Sequence, residues 1–192
     1  MPILTSPDRL ESCRSGLAKR GIPFTEDALI ETLKRRENPW SVFYAVVALR
    51  ALGTLRAVEP LKQVLKYPKQ DVQCASILTI AHLAGSAETP FFISALSDPG
   101  YRPKLYALWA LEDAGDSRGI PAVSAYLARQ IPRAKTAKPN GSFFPTISQG
   151  LAYLGRFVAE QPGLRAEFVP WVQFSDHMVE SVRTGLLRLP RR

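Results

Sequence analysis

Apolar side chains recur along this chain at a fixed step of 31 residues. Val58, Leu61 and Leu65 return as Thr89, Phe92 and Leu96, and again as Ile120, Val123 and Leu127. The stretch before them keeps the same step: Val46, Ile77 and Leu108 align, as do Leu49, Ile80 and Leu111. Small residues accompany them at Ala45, Ser76 and Ala107 and at Ala48, Thr79 and Ala110. A period of this length with two amphipathic helices per unit is the signature of an α-solenoid, in which each helix pair buries its apolar face against its neighbours. The expected fold is therefore all-α, a right-handed α-solenoid of about five helix pairs. Such a scaffold is first of all a surface for holding another molecule.

The unbroken repeat predicts a single domain over residues 1–192, with a degenerate N-terminal cap pair at 1–36. Its first helix is expected to be capped by Ser6 and ended by Gly21, the second capped by Thr25 with Phe24 and Leu29 as a hydrophobic staple. Three regular repeats of 31 residues fill 38–130, the first opened by Asn38-Pro39. Pro60, Pro90 and Pro121 stand near the start of successive second helices, where a missing N–H costs little. An inserted basic loop at 131–144 then breaks the period with two prolines and an Asn140-Gly141 turn, and no helix is expected through it. The register resumes at Ile147, Leu151 and Leu154 after a shift of 40, nine residues more than the period. C-terminal repeats occupy 145–192, irregular around Leu164 to Val172, with Val182, Leu186 and Leu189 inward and a staple of Phe174 and Val179.

Charge narrows the choice of partner. The net charge is +8, and between Asp116 and Glu160 there is no acidic residue, while Arg118, Arg129, Arg133, Lys135, Lys138 and Arg156 all fall there. A field of this kind favours an anionic partner. The start of the chain shows no basic segment followed by an apolar run, and the longest apolar stretch, Val42 to Leu49, is too short to span a bilayer. A cytoplasmic protein is expected, with Cys74 a buried free thiol because it aligns with Phe43 and Leu105. Only two histidines, His82 and His177, are present, neither at ligand spacing from other metal-binding groups, so no metal site and no cofactor are expected. No phosphate-binding loop or nucleophile elbow appears, and no small-molecule substrate is indicated.

The units ALRALGTLRAVEPLKQVL and ALEDAGDSRGIPAVSAYL resemble bacterial HEAT repeats, the short kind found in phycobilin lyases and many small scaffold proteins. Gly115-Asp116 followed by Ile120-Pro121 matches that pattern well, and Gly53 with Ala57-Val58 and Pro60 matches in part. The middle unit departs, with Ala84-Gly85 and no aspartate, and Thr89-Pro90 in place of Ile-Pro. The resemblance implies about five HEAT-like helix pairs and a binding function, with no chemistry of its own. Some HEAT-like proteins are glycosylases for alkylated DNA bases that use tryptophans and an aspartate. Trp109 and Asp113, one helical turn apart, could stand in those places with Trp171 as a second aromatic. Against this, Trp109 aligns with the core positions Val47 and Leu78.

The expected function is a non-catalytic macromolecule-binding scaffold, an inhibitor or assembly protein, gripping an acidic protein through its concave face and basic inserted loop. Nucleic-acid binding is the alternative. The partner-binding candidates are Lys62, Lys66 and Ile93 on the outward positions of the second helices, with Arg129, Arg133, Lys135, Lys138 and Phe143 at the insertion. Phe144 is expected to pack inward and Phe143 to be the more exposed of the two.

Overall fold

The structure is a computed structural model that describes residues 7–138 and 143–187. Ser6, the Asn140-Gly141 turn and Leu189, each given a role above, lie outside the described residues. No strand occurs among the described residues. The chain divides into two compact units that meet at Glu88 and Thr89.

In unit 1, α1 (Pro7–Ala18) and α2 (Glu26–Arg35) form the cap pair, followed by α3 (Pro39–Leu52), α4 (Val58–Val64) and α5 (Gln70–Ala84). First helices stack on first helices, α1 on α3 and α3 on α5, while α2 stacks on α4. This two-layer order is what the 31-residue period demands. Leu49, Ile80 and Leu61 are fully buried. Leu65 is only half-buried, because α4 ends one residue before it. Asn38 opens α3 as expected, its side chain accepting from the N–H groups of Trp40 and Ser41. Thr25 holds the N-cap position of α2 but makes no capping hydrogen bond.

In unit 2, α6 (Thr89–Ser97) and α8 (Ile120–Ala134) form one layer, α7 (Lys104–Ala114) and α9 (Phe143–Gly155) the other. Leu96, Leu111, Leu127, Ile147, Leu151 and Leu154 are buried, which continues the ladder through the insertion. The next segment is irregular, a single turn α10 (Arg165–Phe168) running into 3-10 geometry over Val169–His177, before α11 (Glu180–Leu187). Val182 and Leu186 are buried as expected, whereas Val179 is 50% exposed. The 3-10 stretch delays the helix to Glu180, so Val179 precedes it and closes no staple.

Three equivalent turns show why the middle repeat departs. A side-chain carbon on Gly53 would lie 2.4 Å from the Leu49 carbonyl oxygen, and one on Gly115 2.6 Å from that of Leu111. Only glycine fits so tight a helix exit. The equivalent third position is Ala84, and there α5 keeps Ala84 helical and leaves through Gly85 at φ 59. That left-handed exit favours glycine.

Candidate functional site

The expected loop begins later than its composition suggests. Helix α8 runs through Pro132 to Ala134, four residues into 131–144. The proline has no N–H to donate to the Ala128 carbonyl, and Ala128 is exposed, so that end of the turn is not buried without a partner. Gln130 and Ala134, both buried, anchor this last turn.

The cations of the acid-free stretch divide into two groups. Arg118 is ion-paired with Asp116 at 2.6 Å, and Arg156, directly after α9, donates to the carbonyls of Leu111 and Glu112 at the end of α7. These are structural: Arg156 caps the C-terminal end of α7, where the Leu111 carbonyl also accepts from the Gly115 N–H. Tyr153 adds a third tie, its hydroxyl donating to the Asp116 carbonyl; its pKa is pushed up to about 12, first by burial and then by the Asp116 charge. By contrast Arg129, Arg133, Lys135 and Lys138 are exposed, and none is in an ion pair among the described residues. Arg133 donates to the buried Gln130 side chain at 3.0 Å and lies 5.8 Å from the centroid of the Phe143 ring.

Phe144 is 1% exposed and packed near Phe174 and His177, while Phe143 is half-buried. Phe143 therefore forms the partly open edge of the cluster and Phe144 its floor. Tyr126 shares α8 with Arg129 and Arg133 and is half-buried. Positions 126, 129 and 133 share one flank of α8 by helical register. Burial raises the Tyr126 pKa, and Arg133 and Arg129 pull it down, so both guanidiniums act on the phenol. In the 31-residue register Tyr126 aligns with Val64 and Ala95, both buried, so the period does not mark it as accessible.

The candidates in unit 1 fare differently. Lys62 bridges Glu59 at 2.7 Å and Glu88 at 2.8 Å. Partial burial opposes its charge, the two carboxylates more than compensate, and its pKa is raised. Its charge is thus already answered within the unit. Lys66 is exposed and unpaired. A second surface was not legible in the periodicity: Trp40, 49% exposed, has the Lys69 ammonium 3.6 Å above its ring centroid and Tyr44 at 6.0 Å. A cavity of about 440 Å³ borders α2, but Arg35 on its wall is held by Glu31 at 3.1 Å. In unit 2, Ile93 is half-buried on α6.

The residues considered for base excision do not converge. Trp109 is half-buried, edge-on to Tyr106 at 5.1 Å, and Asp113 is exposed. Trp171 is 1% exposed and offers no open face to a base. Cys13 and Cys74 are both buried, and neither is in a disulfide. Among the described residues no group of three or more metal-binding side chains occurs, and no helix is long and apolar enough to cross a membrane.

Comparison with known proteins yields one match. The family model for the PBS lyase HEAT-like repeat matches residues 43–67, which run from α3 through the turn and α4. No match to a curated protein or to a solved structure was found. HEAT-like repeats are in general protein-interaction scaffolds. Residues 43–67 are thus similar to a PBS lyase HEAT-like repeat, within an all-α, solenoid-type series of helix pairs.

Proposed function

We propose that the protein is a non-catalytic binding module that holds an acidic protein partner through unit 2, at the C-terminal end of α8 and the residues that follow. One observation carries this reading. Arg129, Arg133, Lys135 and Lys138 lie in a stretch without a single carboxylate and have no ion-pair partner among the described residues, whereas Arg118 and Arg156 are tied down. Unpaired cations grouped around a half-buried aromatic supply both steering and contact area. Lys66 and Ile93 belong to the proposal as accessible positions in their own units, and Lys62 as the positioning partner of Glu59 and Glu88. An inhibitor or an assembly protein of the cytoplasm is the biological form that fits, and two buried cysteines outside any disulfide suit that reducing compartment.

Nucleic acid is the second reading, favoured by the same four unpaired cations. Affinity capture from a lysate, with and without nuclease, tests both. A protein retained by the wild type after nuclease treatment, and lost when Arg129, Arg133, Lys135 and Lys138 are all changed to Gln, supports the first. Capture abolished by nuclease contradicts it.

A further inference from the structure

We infer that Tyr126, Arg129 and Arg133 form a receptor for carboxylate side chains of an acidic segment, walled on one side by Phe143. This deepens the proposed function and rests on it, since it names the chemistry by which unit 2 would recognise an acidic protein.

The cluster is made of donors. Arg129 has no hydrogen bond, ion pair or ring contact among the described residues, and the Tyr126 hydroxyl has no hydrogen-bond partner there either. Arg133 spends one N–H on Gln130 and keeps the rest of its fork. Two guanidiniums and a phenol thus face outward on one flank of α8 with no carboxylate from residue 117 to residue 159 to answer them. The hydroxyl belongs to a half-buried side chain and is not committed to any described residue, so an incoming oxyanion accepts from it together with the two cations. Both guanidiniums are near enough to act on the phenol, and burial keeps its proton on at neutral pH, so it acts as a donor.

Spacing and stacking favour a polypeptide over a nucleic-acid strand. Arg129 and Arg133 are four residues apart, about 6 Å along the helix axis. Carboxylates two residues apart on an extended strand are separated by about 6.6 Å, and the planar fork of arginine matches each of them in a bidentate way. A single strand of nucleic acid draws much of its affinity from bases stacked on open aromatic faces. Here the Phe143 ring has Arg133 over it at 5.8 Å and the ring of Phe144 edge-on at 5.3 Å, and Tyr126 is half-buried.

Fluorescence anisotropy on the full chain at low salt tests this with two labelled probes, a decaglutamate peptide and a thymidine decanucleotide. Tyr126→Phe keeps the net charge and the ring, and we expect it to weaken decaglutamate binding about tenfold, the effect of one charge-assisted hydrogen bond. Arg129→Lys keeps the charge at an exposed position and removes the fork; a loss of about fivefold is expected, with melting unchanged. Lys19→Gln, which removes a charge from an exposed position of unit 1, should change binding less than about twofold. If Tyr126→Phe and Arg129→Lys both bind decaglutamate as the wild type does, the receptor is absent and only general charge attraction remains, which leaves the acidic-partner reading standing. If the wild type ignores decaglutamate or prefers the decanucleotide, that broader reading fails as well.

Discussion

The guanidinium of Arg133 lies over the ring of Phe143, 5.8 Å from its centroid, and the same side chain donates to the buried Gln130. Helix α8 and helix α9 are thereby linked at the two ends of the inserted segment. The contact is at the outer limit of a cation–π interaction, where it contributes about 0.5–1 kcal/mol at an exposed site. Its effect is to orient an arginine rather than to hold the fold. Salt-bridged cations such as Lys62 are anchored by carboxylates; Arg133 is anchored by an amide and a ring, and its charge stays available.

The core ladder gives the first prediction. Ile80 is fully buried in α5, so Ile80→Ala should lower the unfolding free energy by about 2–5 kcal/mol through lost burial and a cavity. Gln63 is exposed on α4, and Gln63→Ala should cost under about 0.5 kcal/mol. Denaturant titration of both variants distinguishes them; equal midpoints would mean that the register is misplaced.

The helix exits give the second. With only 2.6 Å between a new Cβ and the Leu111 oxygen, Gly115→Ala should destabilise by about 1–3 kcal/mol, the usual cost of forcing atoms into a filled space. Position 163 offers a comparison, because nothing lies within 4 Å of a Cβ added there. Gly163→Ala should leave the melting temperature within about two degrees.

Much of this was legible before any coordinates. Buried Leu49, Ile80, Leu111 and Leu127 follow directly from a fixed period, because a residue facing the neighbouring pair in one repeat faces it in the next. The period was silent where local geometry decides. Leu65 is aligned with Leu96 and Leu127, yet α4 stops short of it. Trp109 aligns with buried Val47 and Leu78 but is itself only half-buried. Pro132 reads as a helix breaker, and the helix passes it because two buried neighbours hold the last turn. At the candidate site the cations are visible as composition, whereas Tyr126 is not, since it aligns with the buried Val64 and Ala95. Which cations are spent on structure, as Arg118 and Arg156 are, depends on contacts between distant helices and turns that no local pattern encodes.

Asp116 carries a pH dependence of known sign. The side-chain bond from Arg118 is the chief cause holding its carboxyl below the ordinary value of 3.8. A carboxyl lowered in the folded state stabilises above its unfolded pKa, and that contribution is lost as pH falls through the folded value. Asp116→Asn removes the charge but retains an oxygen to accept from the Arg118 N–H. The melting temperatures of wild type and Asp116→Asn should therefore differ most near pH 6 and converge as pH is lowered toward about 2. The pair is at the surface, so the difference should also shrink in high salt.

Site-specific photo-crosslinking tests the binding surface most directly. A photoreactive side chain is placed at Lys135, beside the unpaired cations of unit 2, and in a second protein at Gln63 on α4 of unit 1. Both are irradiated in lysate and treated with nuclease. We expect a discrete protein adduct at position 135 that is suppressed by excess decaglutamate, and little or none at position 63. An adduct at 63 alone, or one at 135 that nuclease removes, would contradict the assignment of unit 2 as the surface that holds an acidic protein.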